Sequence, residues 1–139
     1  MITNADIYLH TTNDDLIKRL YTEKHVYALT RYEADMSHKF MDNMWESYDC
    51  YIFNSAFLNR SILEEDINYY QNHLGIETRV LTSFFKNGYK LFNPCYQLKI
   101  VHLHNSNLRN YKDAVYLNSM VVRHGVLAAY SNIVQSILL

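Results

Sequence analysis

The segment from Glu77 to His104, ETRVLTSFFKNGYKLFNPCYQLKIVHLH, changes hydrophobic period midway and constrains the fold more than any other part of the chain. Its first half places Val80, Leu81, Phe84 and Phe85 at the spacing of one buried helical face. Asn87-Gly88 supplies the left-handed conformation that ends such a helix. Tyr89 to Phe92 then reads as a strand, broken by Asn93-Pro94 because the residue before a proline is pushed into extended or turn geometry. From Leu98 to His104 the pattern alternates. Leu98, Ile100, His102 and His104 fall on one side, and Lys99, Val101 and Leu103 on the other. A strand ending in H-x-H, with Asn105, Ser106, Asn107 and Arg109 just beyond it, predicts the edge of an active site.

The rest of the chain alternates in the same manner. Ile2 to Leu9 reads as one short strand. Thr12, three residues ahead of Asp15, is the expected N-cap of a helix to about Glu23 with Leu16, Ile17 and Leu20 inward. Val26 to Tyr32 is a buried strand in this reading, and Glu33 to Trp45, without clear period, an excursion. Cys50 to Phe53 is a further strand, closed by Asn54-Ser55. Ser61-Ile62-Leu63-Glu64 has capping-box spacing and opens a helix to about Asn72. Asp113–Arg123 and Val126–Leu138 read as two last helices separated by His124-Gly125. Interleaved strands and helices predict an α/β fold, a mixed sheet with flanking helices. They form a single domain over 1–139, with 112–139 a helical extension.

At 139 residues the chain is long enough to bury a core without disulfides or metal. A net charge of -1, with both signs interspersed, offers no electrostatic footprint for nucleic acid. Cys50 and Cys95 lie far apart in apolar contexts and read as buried thiols. No basic segment leads into an apolar run at the N-terminus. The apolar stretch Val126–Leu139 is too short and too interrupted to span a bilayer. The expectation is a cytoplasmic protein with no membrane span. The last helix offers Val126, Leu127, Tyr130, Ile133, Val134, Ile137 and Leu138, more apolar surface than one small domain covers, which predicts a homodimer. No Gly-rich phosphate loop is present, which excludes P-loop and dinucleotide fingerprints.

Several polar residues fall where chemistry is plausible by position. His102 and His104, on one strand face, can ligate metal through neutral nitrogens or simply hydrogen-bond at the lip of a sheet. Arg31 ends one buried strand and Asp49 precedes another, so both can face one cleft; the alternative is an ion pair of Arg31 with Asp49 or Glu33. Trp45 can stack on a sugar face or anchor the core. Arg79 can bind phosphate or pair with Glu77. Arg109 can contact phosphate or pack on a helix cap.

Six pieces then stand in a particular order. They are Asn4-Ala5-Asp6-Ile7, Ala28-Leu29-Thr30-Arg31-Tyr32, Ser47-Tyr48-Asp49-Cys50-Tyr51-Ile52-Phe53, Gly75-Ile76-Glu77-Thr78-Arg79, Lys86-Asn87-Gly88-Tyr89 through Asn93-Pro94, and His102-Leu103-His104-Asn105-Ser106 through Arg109-Asn110-Tyr111. Their order and spacing resemble a group of glycosyltransferase-like proteins of the GT-A fold, frequent in large viruses and microbes. The resemblance covers the C-terminal half of that fold, from the D-x-D strand onward, without the nucleotide-binding half that precedes it. It implies a sugar or nucleotide-sugar as partner and a divalent cation, Mn²⁺ or Mg²⁺, as cofactor. Asn4 and Asp6 would stand for the D-x-D element, with an amide in place of one carboxylate; their alternative role is to cap a turn. His104, or His102, would complete the metal shell, and Glu77, at a helix N-terminus, would be the catalytic base. Glu77 is also an ordinary residue for a first helical turn. Two other readings are a non-catalytic binding or assembly module derived from such an enzyme, and a metal-dependent hydrolase built on His102 and His104.

Overall fold

The computed structural model describes residues 1–38, 48–59 and 76–103, and within this set it is α/β with a mixed sheet and two α-helices. The elements are β1 (Ile2–Thr3), β2 (Ile7–Thr11), α1 (Asp14–Thr22), β3 (His25–Leu29), β4 (Cys50–Phe53), a 3₁₀ turn (Ser55–Phe57), α2 (Ile76–Lys86), β5 (Lys90–Phe92) and β6 (Lys99–His102). The main sheet has the order β1-β4-β3-β5, and a separate ribbon pairs β2 with β6. Among the described strands β3 and β5 pair in parallel and the other ladders are antiparallel. The expected helices over 61–72, 113–123 and 126–138 lie outside the described residues, as does the apolar face from which a homodimer is expected.

Alternation along β3 decides where each helix packs. Val26 and Ala28 point to one side of the sheet and join Tyr51, Leu81, Phe84, Tyr89 and Leu91 in a core under α2. Tyr27 and Leu29 point to the other and join Cys50, Leu16, Leu20, Ile7, Leu98 and Ile100 under α1 and the ribbon. The Tyr27 hydroxyl donates to the Leu16 carbonyl at 2.8 Å, and burial pushes its pKa up to about 12. Cys50 and Cys95 are free, buried thiols, each pushed up to about 11 by burial, in line with the expectation of unbridged cysteines. Among the described residues no helix is long and apolar enough to cross a membrane.

Several sequence expectations need correction. Ile2 to Leu9 is two strands, because a turn at Asn4–Asp6, in which the Ile7 N–H donates to the Asn4 carbonyl at 3.3 Å, takes the chain from the main sheet to the ribbon. The cap of α1 is Asn13 rather than Thr12; its side chain accepts the Leu16 N–H at 3.1 Å. β3 stops at Leu29, because the Thr30 N–H is taken by the Asn93 side-chain carbonyl and the Asn93 amide donates to the Thr30 hydroxyl at 2.7 Å. Tyr32 then pairs with Val101 through an isolated bridge, and Val101 is buried. On α2, Leu81 and Phe84 are buried but Phe85 is 54 % exposed, since the stripe is narrower than four residues. The stop at Asn87-Gly88 is as expected: Gly88 has φ 78° and the Gly88 N–H donates to Phe85.

Candidate functional site

Five chain segments bring their polar ends to one end of the main sheet. β1 finishes there and β4 begins there, because the two are antiparallel. β3 also finishes there, antiparallel to β4. Beyond it, the Tyr32 N–H donates to Ile100 and the Tyr32 carbonyl accepts the His102 N–H at 2.9 Å, so β6 ends alongside. α2 starts at this end too, where the Tyr51 hydroxyl approaches the Glu77 carbonyl at 3.5 Å, and its far end turns back beside Lys24. The carboxyl ends of strands are where α/β sheets expose side chains to a shared crevice.

At that end the side chains form a continuous chain of polar contacts. The Asn4 amide donates to Asp49 Oδ1 at 3.0 Å. The Arg31 guanidinium donates to the same oxygen through Nη1, also at 3.0 Å. Arg31 Nε faces Glu33 Oε1 at 3.6 Å, and Glu33 Oε2 faces His102 Nδ1 at 3.5 Å. His102 Nε2 lies 2.9 Å from Asp6 Oδ2. The chain runs from inside to outside: the Asp49 side chain is 3 % exposed and that of Asp6 40 %. Among the described residues, Arg31 is placed against two of the carboxylates, Asp49 and Glu33, and His102 against Glu33 and Asp6.

Of the expected site residues, the fold therefore gathers Asp6, Arg31, Asp49 and His102. Arg31 makes both ion pairs offered as its alternative, one with Asp49 and one with Glu33, and still belongs to the cluster. Asp49 is a buried strut for Arg31 and Asn4 rather than a group facing outward. Asn4 closes the turn with its main chain only; its side-chain amide goes to Asp49 and the Asp6 carboxylate to His102, so neither of these side-chain contacts caps the turn. Glu77 and Arg79 ride on α2, at the same end of the sheet but on its opposite face. Trp45, His104 and Arg109 lie outside the described residues. Glu33 was expected only as a partner of Arg31. Its position two residues beyond Arg31 in extended chain, hence on the same side, is the signal for its membership.

Among the described residues no group of three or more His, Cys, Asp or Glu side chains is arranged to hold a metal ion. Asp6 and His102 supply two donors, 2.9 Å apart, close to the separation of adjacent ligands around a cation with bonds of about 2.1 Å. If a cation binds at this end, Asp6 and His102 are the described side chains that would hold it, with water and substrate oxygens as its remaining ligands; the imidazole suits Mg²⁺, an oxygen-ligand ion, poorly. Comparison with protein-family models, with curated proteins and with solved structures finds no match to this chain.

Proposed function

We propose that the chain is a glycosyltransferase-like protein of the GT-A kind that binds a sugar or nucleotide-sugar at the Asp6–His102 end of the sheet. What supports this reading is the meeting of Asn4 and Asp6, Arg31, Asp49 and His102, which come from four of the six matching sequence pieces. In it, Asp6 and His102 would hold a divalent cation, which would supply positive charge to offset that of a diphosphate. Arg31, held by Asp49 and Glu33, adds a fixed positive charge beside the same site. The resemblance would give the base role to Glu77, but α2 carries it on the sheet face opposite Asp6 and His102, so donor binding is assigned to the cluster and no base role to Glu77.

The second reading is a non-catalytic binding or assembly module acting as a homo-oligomer. It is favoured by Asn4, which stands where a second carboxylate is expected and turns its amide to Asp49. A panel of nucleotide-sugars titrated by calorimetry with Mn²⁺ or Mg²⁺ tests the first reading. Metal-dependent binding of one donor, followed by its turnover with an acceptor, is the expected result. Binding without turnover under any acceptor favours the module, and no binding across the panel overturns the first reading.

A further inference from the structure

Glu33 stands between the two basic side chains of the site, with one carboxylate oxygen on each. Its main chain is pinned on both sides. Tyr32, just before it, is paired to β6 through Ile100 and His102. Just after it, the Glu33 N–H donates to the Ser37 carbonyl at 2.9 Å and the Met36 N–H returns to the Glu33 carbonyl at 2.8 Å. Met36 takes φ 64° to close that turn, and the Asp35 carboxylate accepts the Ser37 N–H at 2.9 Å. A tight turn with a left-handed residue thus serves to aim a single buried carboxylate, 4 % exposed, into the cluster. Burying a carboxylate is costly unless charged or hydrogen-bonding partners meet it; here the Arg31 guanidinium lies against it with Nε at 3.6 Å, and His102 Nδ1 faces it at 3.5 Å, both longer than a hydrogen bond.

The imidazole has two distinct nitrogens, and the group that faces one decides what the other presents. With Nδ1 turned to Glu33, Nε2 is the nitrogen delivered to Asp6 at 2.9 Å. A ring turned over would present carbon on the Asp6 side. We propose that Glu33 is the positioning residue of the site: it holds the His102 ring with Nε2 toward Asp6 and the bound cation, and fixes Arg31 against Asp49 with its other oxygen. Its link to a cation rests on the glycosyltransferase-like reading; its grip on the ring does not. Carboxylates behind metal-binding histidines act in this way, and their loss typically weakens metal binding about 10–100-fold.

The test uses the full chain with its histidine rings labelled with ¹⁵N. Ring spectra are recorded without metal, and Mn²⁺ alone is then titrated and followed by electron paramagnetic resonance. Glu33→Gln keeps the volume but removes the charge, and Glu33→Asp keeps the charge but withdraws it by a methylene. Both are expected to shift the ¹⁵N pattern of His102 and to weaken Mn²⁺ binding about 10–100-fold while the protein stays folded. Unchanged His102 resonances in the folded variants would overturn the proposal, as would failure of both variants to fold, which would make Glu33 a structural residue. A wild-type protein that binds no Mn²⁺ would sink the cation reading alone; the His102 spectra would still decide the role of Glu33.

Discussion

Asp6 Oδ2 and His102 Nε2 meet at 2.9 Å across 96 positions of sequence. The ribbon register makes this possible. Ile7 pairs with His102, and the Leu103 N–H donates to the Asp6 carbonyl at 2.8 Å, so the turn after β1 is tied to the exit of β6. If the pair carries the cation, Asp6→Asn and His102→Ala each weaken Mn²⁺-dependent nucleotide-sugar binding by at least about tenfold. Asp6→Asn does so with little change in the unfolding midpoint, because its side chain is 40 % exposed. Calorimetry on both variants checks it, and full affinity in both would remove the pair from the site.

Arg31 is paired with two buried carboxylates, Asp49 and Glu33. Arg31→Met leaves Asp49 and Glu33 without it, and breaking a buried pair in this way costs about 3–5 kcal/mol. Urea unfolding gives the number. A loss below about 1 kcal/mol would place these contacts with screened surface pairs instead.

Acid should loosen the fold through two histidines away from Asp6. His25 packs on Phe92 with ring centroids 4.4 Å apart, and burial lowers its pKa from the usual 6.5, opposed by Glu23 and reinforced by Lys90 and Arg19. His38 packs on Tyr32 at 4.4 Å, and burial lowers its pKa too, against a backbone hydrogen bond that raises it. The unfolded chain therefore binds more protons than the folded one below pH 6.5. Stability from both groups is fully present above that pH and is lost as pH falls toward their depressed folded values. His38→Phe, which keeps the ring contacts, should flatten this loss in a series of urea titrations. An identical pH slope in the variant would count against the assignment.

Phe84 and Phe85 are adjacent and alike in chemistry, yet Phe84 is fully buried among Tyr51, Phe53 and Tyr89 while Phe85 is 54 % exposed. Phe84→Ala should cost about 3–5 kcal/mol. Phe85→Ala should stay within about 0.5 kcal/mol. Equal losses in denaturant melts would mean that α2 is rotated from the packing described.

The local elements were legible because each rests on neighbours in sequence. α1 shows in Leu16, Ile17 and Leu20, α2 in Leu81 and Phe84 with Asn87-Gly88 behind them, and β4 and β6 in their apolar runs. The same local rules misplaced the cap at Thr12, since Asn13 competes for the same role, and ran β3 on to Tyr32. That strand stops early because Asn93, far along the chain, supplies Thr30 with the hydrogen bonds a ladder would have made. Phe85 was assigned to the core by spacing alone, although a helix of this width buries fewer positions.

The cluster itself was half legible. Asp6, Arg31, Asp49 and His102 were readable as candidates because each polar residue stands at the edge of an apolar run. Which of them meet, and in what order, is tertiary. The antiparallel entry of β4, the turn at Asn4–Asp6 and the single bridge of Tyr32 to Val101 bring five segments to one end of the sheet. Glu33 gained its place there only because that bridge lays its side chain between Arg31 and His102. Sequence by itself determined the periods, the caps and the polar candidates, since these depend on torsions and on contacts a few residues apart. Register and crossing connections decided the rest, because they set which distant side chains share a few ångströms of space.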